Sequence, residues 1–144
     1  MELEVKHLAP YLPYGLKLQY VVREKVEKTG IMKSIIHNED ETHPTKVSIE
    51  WGDAEHIWMF KPILRPLSDL NKEININGEK HQMWLLINSQ RALDNGKIVN
   101  MNGYRYDILE LSYIRIQTLL KFHFDVFGLI PKGLAIDINT ISVE

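Results

Sequence analysis

His123 and Asp125 are the two residues of this 144-residue chain whose types and closeness best suit acid–base chemistry. An imidazole and a carboxylate can together move protons in an active site. The hydrophobic pattern around them predicts a helix, however, and helical residues two positions apart do not face each other. A histidine near a helix C-terminus also interacts favourably with the helix dipole. The pattern therefore favours a structural histidine, and the sequence predicts no catalytic residue.

The six histidines do not have the spacing of a metal site. None forms H-x-H, H-x-x-x-H or H-E-x-x-H, the spacings that place two imidazoles on one face of a strand or helix. The acidic stretch 37–43 lacks the Asp/Asn alternation and the glycine of a calcium loop, so it predicts a solvated turn. The absence of cysteine excludes disulfides, thiolate zinc sites and a cysteine nucleophile. Phosphate-binding glycine loops and the G-x-S-x-G elbow are absent too. No metal or cofactor is expected.

Charge and hydropathy argue against two further classes of partner. The net charge is −2, and neither half of the chain carries the basic field that general nucleic-acid binding requires. Tyr104-Arg105-Tyr106 interleaves aromatic and basic residues as single-strand binders do, but alternation on a strand is typical of an ordinary half-buried hairpin. No apolar run approaches the roughly 18 residues that cross a bilayer, and the N-terminus has no secretory signal. A cytoplasmic protein without membrane contact is expected.

Alternating apolar and polar residues predict an antiparallel meander in the first half of the chain. The predicted strands are 16–22, 31–37, 47–51 and 57–61. Lys28-Thr29-Gly30 is the predicted first turn, and residues 52–55 form a tight reversal. Trp58 has the opposite parity to Ile57 and Met59, so it could project from the other face. An exposed Trp58 would mark a partner surface.

Two prolines interrupt the pattern after the meander. Pro62 and Pro66 predict an edge strand or an extended connector, because proline cannot donate to a strand ladder. Residues 1–144 are expected to form a single domain of ordinary size, and the stretch 62–68 is the best place for a subdomain break.

The second half predicts hairpins followed by one main helix. Asn77-Gly78 and Asn102-Gly103 are two-residue turn signals, whereas residues 83–94 fit either a helix or a strand. The helix is predicted over about 108–127, where Asp107 and Glu110 suggest a capping box and the apolar residues lie on one face. That face comprises Leu109, Tyr113, Ile116, Leu120, Phe124 and Phe127. A final strand is predicted over 134–138. The predicted fold class is α+β, with the meander and hairpins packed by this helix.

Three blocks of the sequence resemble a family of small uncharacterised proteins from gut Bacteroidales genomes and their prophages. The blocks are LAPYLPYGLK (8–17), KPILRPLSDL (61–70) and FHFDVFGLIPKGLAIDINT (122–140). They cover 39 of the 144 residues. The family supplies no activity, cofactor or catalytic residue. The resemblance implies a prophage setting, in which small proteins often bind phage or host proteins.

The leading functional hypothesis is a non-catalytic protein-interaction module that binds a phage or host protein. A small-ligand-binding or sequestering protein is one alternative, and it predicts a closed apolar pocket with convergent polar groups. A nucleic-acid accessory protein is the other, and it predicts a basic stripe joining Lys61, Arg65, Lys72 and Arg105. The sequence also leaves open whether the chain forms a homo-oligomer. The candidate interaction surface comes from the recognised blocks and comprises Tyr11, Tyr14, Arg65, His123 and Asp125.

Overall fold

The computed structural model describes residues 2–37, 45–50, 52–76, 78–82, 91–92, 97–99 and 104–141. The chain forms two compact units. The first unit comprises residues 1–64 and 130–144, and the second comprises residues 65–129. The chain therefore passes from the first unit to the second inside the proline-bracketed stretch and returns after Leu129.

Short strands and short helices alternate along the described residues. The strands are β1 (Lys17–Val22), β2 (Lys25–Ile36), β3 (Lys46–Ile49), β4 (Glu55–His56), β5 (Phe60–Leu64), β6 (Glu73–Ile76), β7 (Glu79–Gln82), β8 (Arg91–Ala92), β9 (Lys97–Val99), β10 (Arg105–Asp107) and β11 (Ile136–Asp137). The α-helices are α1 (Val5–Leu8) and α2 (Tyr113–Lys121). The 3-10 helices are Ala9–Tyr14, Ile57–Met59, Leu67–Asn71, Ile108–Glu110 and Ile138–Thr140. The α+β class is thus confirmed. Neither described α-helix has the length and apolar character that crossing a bilayer demands.

The first unit contains one six-stranded sheet with the order β11-β5-β1-β2-β3-β4. Its neighbours are antiparallel except β11 and β5, which are parallel. The predicted meander is therefore confirmed for its first three strands, whereas β5, which contains the end of the predicted fourth strand, pairs with β1 and does not follow β3. Fully buried side chains form its core, namely Leu8, Tyr11, Leu16, Leu18, Val47 and Leu64.

The first hairpin turns five residues earlier than predicted. Val22 pairs with Lys25, so Arg23 and Glu24 form a two-residue turn with φ of 52° and 65°. Positive φ at both central residues matches the right-handed twist of the flanking strands. Gly30, the predicted turn residue, is instead buried within β2 opposite Leu18. The prediction was wrong because glycine was the obvious turn former, whereas this turn uses two residues without glycine's freedom.

Pro62 lies in an inner strand of the sheet, not in an edge strand or connector as predicted. It faces Leu18 of β1, while β11 begins its pairing with β5 only at Ile63. The register gives Pro62 a strand partner on one side, which is why the missing N–H donor is tolerated inside β5.

The predicted fourth strand begins as a 3-10 turn instead. Residues 57–59 form this turn, and the strand β5 starts only at Phe60. The turn buries Ile57 and leaves Trp58 61% exposed. The predicted projection of Trp58 away from Ile57 is therefore confirmed, although a helical turn and not strand parity produces it.

The second unit contains two small sheets. Ile76 pairs with Glu79, so the predicted hairpin is present, and Gly78 has φ of 85°; Asn77 lies outside the described residues. In the other sheet β9 pairs with both β8 and β10, and Val99 lies opposite Arg105. The predicted two-residue turn at 102–103 would place Val99 opposite Tyr106, so the observed register differs from the prediction by one residue. Residues 100–103 lie outside the described residues. Of the ambiguous stretch 83–94, only Arg91–Ala92 is described, and it is a strand.

Helix α2 is present but shorter than the predicted 108–127. It begins after Ser112, because Leu111 is extended with ψ of 156° and separates it from the preceding 3-10 turn. The Asp107 side chain caps no backbone N–H and instead forms an ion pair with Lys97, directly across the β9–β10 ladder, at 2.5 Å. Consequently Leu109 and Tyr113, predicted on the buried face, are 56% and 75% exposed.

Candidate functional site

Three of the five predicted site residues meet at the end of α2. The N–H of Arg65 donates to the carbonyl of His123 at 2.8 Å, and the N–H of Asp125 donates to the carbonyl of Arg65 at 2.9 Å. These bonds form a parallel bridge between Arg65 and Phe124. The recognised blocks 61–70 and 122–140 thus contact each other through the backbone of the second unit.

His123 terminates α2 through its backbone. Its φ is 64°, the left-handed conformation that most often belongs to glycine just after a helix. Its N–H donates to Leu120 O, and the N–H of Phe124 donates to Leu119 O, both at 3.0 Å. With Phe122 as C-cap, this is the Schellman arrangement, in which two otherwise unpaired helix carbonyls are satisfied. The position of His123 follows from helix termination, as the sequence pattern favoured.

Arg65 stabilises the same helix end with its side chain. Its Nε donates to the carbonyl of Phe122 at 3.2 Å, and a cation interacts favourably with the negative end of the helix dipole. Burial lowers the pKa of Arg65, against the opposing effect of the Asp69 carboxylate. A guanidinium remains charged after such a change, so Arg65 acts as a cationic cap.

Asp125 belongs to the interior, not to a surface as predicted. Its side chain is buried, and one carboxylate oxygen accepts the N–H of Leu129 at 2.7 Å. A buried carboxylate with a backbone donor organises the turn that follows the helix. Its prediction as an interaction residue is therefore wrong.

Tyr11 and Tyr14 lie in the first unit, in the 3-10 helix Ala9–Tyr14. Tyr11 is fully buried, so the prediction that its ring contributes to an interaction surface is wrong. The reason is that this segment packs as a short helix and turns Tyr11 into the core. Tyr14 is half-buried.

Trp58 is the exposed aromatic residue that best fits a contact surface in the first unit. Its ring stacks on His56 with a centroid distance of 4.2 Å and an interplanar angle of 7°. In the described part of the chain, nothing hydrogen-bonds to the buried Nδ1 of His56. The imidazole supports one face of the indole, while much of Trp58 faces solvent.

A shallow cavity of about 120 Å³ lies beside the indole, and we call it the Trp58 groove. It is lined by Glu2, Leu3, Trp58, Phe60, Lys61 and Leu134. Leu3 and Phe60 are buried and form the apolar floor. Strand β5 positions Phe60 and Lys61, the preceding 3-10 turn positions Trp58, and Leu134 comes from the segment that leads into β11.

Sequence reasoning indicated Trp58 but missed the rest of the groove. Leu3 and Leu134 are more than 130 positions apart, and no local pattern connects them. The sequence predicts a basic stripe that joins Lys61 with Arg65, Lys72 and Arg105. In the structure Arg65 caps a helix, and Lys72 forms an ion pair with Asp69 at 3.5 Å. These two contacts give Arg65 and Lys72 structural roles in the second unit.

The groove offers apolar contact surface and two charged side chains, Glu2 and Lys61. Across the described residues, no group of three or more His, Asp or Glu side chains could hold a metal ion. Comparison of the chain with known protein families, curated proteins and solved structures finds no match.

Proposed function

We propose that this protein is a non-catalytic protein-interaction module whose partner docks on the Trp58 groove. The observation that carries the proposal is the exposure of Trp58, held by His56 at the edge of an apolar cavity. Tryptophan is among the residues most enriched at energetically dominant positions of protein interfaces. A ring that is already held in place also loses little conformational entropy on binding.

The size of the groove favours a protein partner over a small ligand. Sites for drug-sized ligands and cofactors occupy roughly 300–1,000 Å³, whereas the Trp58 groove has about 120 Å³. A groove of this size suits one side chain of a larger molecule. The resemblance to prophage-encoded proteins supports a phage or host protein as the partner, met in the cytoplasm.

The first testable prediction compares W58A with Y113A. We expect tagged wild-type protein and Y113A, purified from a host lysate, to retain a stoichiometric protein partner, and W58A to lose it. Truncation of a dominant tryptophan costs about 2 kcal/mol or more, which is a loss of roughly thirtyfold in affinity. Native mass spectrometry measures the bound partner. Y113A is the matched control because Tyr113 is 75% exposed and lies in the other unit.

Three outcomes would contradict the proposal. The first is equal partner recovery from all three proteins, and the second is no partner from the wild type. The third is a turnover activity that one histidine or aspartate substitution abolishes. Because Trp58 is mostly exposed, W58A should unfold within a few degrees of the wild type, and a melting curve checks this.

A further inference from the structure

We infer that the partner presents an extended peptide segment that inserts one apolar side chain into the Trp58 groove, with an acidic residue against Lys61 and a basic residue against Glu2. This inference rests on the proposed function and adds to it the chemistry of the partner.

The volume of the groove limits the insert to one side chain. An apolar cavity of roughly 150 Å³ accommodates a single benzene molecule, so about 120 Å³ suits a side chain of the size of leucine or valine. The buried floor of Leu3 and Phe60 and the wall of Trp58 present apolar surface to it. Apolar contact of this kind provides affinity without directing the orientation of the chain.

The two charges at the groove provide that direction. Glu2 and Lys61 both line the groove, and both are exposed. Among the described residues neither side chain forms an ion pair, although Lys6, Lys72 and Lys97 each do. Unpaired opposite charges beside one apolar cavity favour a ligand with complementary charges and disfavour the reversed one. A peptide segment can carry an apolar residue between an acid and a base, and so satisfies all three features.

The test is selection of a displayed library of random ten-residue peptides on immobilised full-length protein. Wild type, W58A and the charge-swap variant E2K/K61E are used as baits. We expect the wild type to enrich peptides with an aliphatic residue flanked by one acid and one base. The same peptides should not enrich on W58A, and E2K/K61E should enrich peptides with the two charges exchanged. Both swapped residues are exposed, and circular dichroism confirms that the variant folds.

Affinity measurements on one synthesised peptide give the size of the contribution that Lys61 makes to binding. We expect K61E to weaken the binding of the wild-type-selected peptide by roughly 1.5-fold to fivefold, the range for an exposed ion pair. Fluorescence anisotropy measures this change, with K17E as a control because Lys17 is exposed and does not line the groove.

The outcomes separate this inference from the proposed function. If no peptide enriches on the wild type above W58A although the Trp58-dependent partner is recovered from lysate, only this inference fails; if neither is found, the proposed function and this inference both fail. If enrichment depends on Trp58 but ignores the charge swap, or lacks an apolar residue, only this inference fails. A Trp58-dependent homodimer in native mass spectrometry would show that a second copy of the chain occupies the groove, and it would overturn the inference of a peptide ligand.

Discussion

At the scale of single residues, the structure decides between the two roles that the residue types at His123 allow. Its neighbourhood with Asp125 suggested proton transfer, whereas its φ of 64° places it at the glycine position of a helix terminus. A residue with a Cβ in this conformation costs roughly 1–2 kcal/mol relative to the ordinary helical region. The observed interactions of His123 therefore support a structural role, and the strain makes that role measurable.

We expect H123G to be more stable than H123A by about 1 kcal/mol, because both variants lose the imidazole and only glycine is free of the Cβ strain. Urea denaturation measures the two free energies of unfolding. The matched control is the pair I114G and I114A at an exposed position inside α2. There glycine should be the less stable by about 1 kcal/mol. The same sign at both positions would contradict the helix-terminus role.

At the scale of elements, the β1–β2 hairpin shows that a tight turn can form without a glycine or asparagine to signal it. The turn uses Arg23 and Glu24, two exposed residues with positive φ, and the sequence contains no sign of this conformation. We expect R23N/E24G to raise the free energy of unfolding by about 1 kcal/mol, because Asn-Gly is the preferred pair for such a turn. Thermal or urea unfolding measures the change.

The control for this hairpin is T29G, in the stretch that the sequence predicted as a turn. Thr29 is a β2 residue opposite Gln19, and glycine inside a strand costs roughly 0.5–1 kcal/mol. T29G should therefore destabilise the protein. A stabilising T29G together with a destabilising R23N/E24G would place the turn at 28–30 after all.

At the scale of the whole molecule, the pH dependence of stability reflects the environment of Tyr20. This half-buried side chain lies against Phe60 in the sheet, with ring centroids 5.3 Å apart. Desolvation raises its pKa above the ordinary value of 10.0, and the carboxylates of Glu55 and Glu27 raise it further. The folded protein therefore holds this proton more strongly than the unfolded chain does. The contribution of Tyr20 to stability is therefore present below about pH 10 and is lost as the pH rises through its raised pKa.

We expect Y20F to lose less stability than the wild type between pH 9 and pH 11, because phenylalanine has no proton to release. Urea denaturation at each pH measures the slope, and Y113F serves as the control at an exposed position. An identical slope for wild type and Y20F would contradict the assigned cause.

The sequence predicted the fold class, the first three strands of the meander and the pairing of β6 with β7, because hydrophobic alternation and Asn-Gly are local signals. The end of α2 was missed because the apolar pattern continues through Phe124, while the backbone has already reversed at His123. The groove was missed for a different reason. Its floor and walls come from positions 2–3, 58–61 and 134, and only tertiary packing brings these together.

The parallel pairing of β11 with β5 also sets the order in which the molecule can be completed during synthesis. Ile63 and Leu64 of β5 can pair only after Ile136 and Asp137 of β11 have been synthesised. The whole second unit is translated between these two strands. At 5–20 residues per second, this interval lasts roughly 4–14 seconds. Leu134 also lines the Trp58 groove, so a nascent chain cannot present the finished groove before residues 65–129 have left the ribosome. Any partner that needs this groove therefore binds late in synthesis or afterwards.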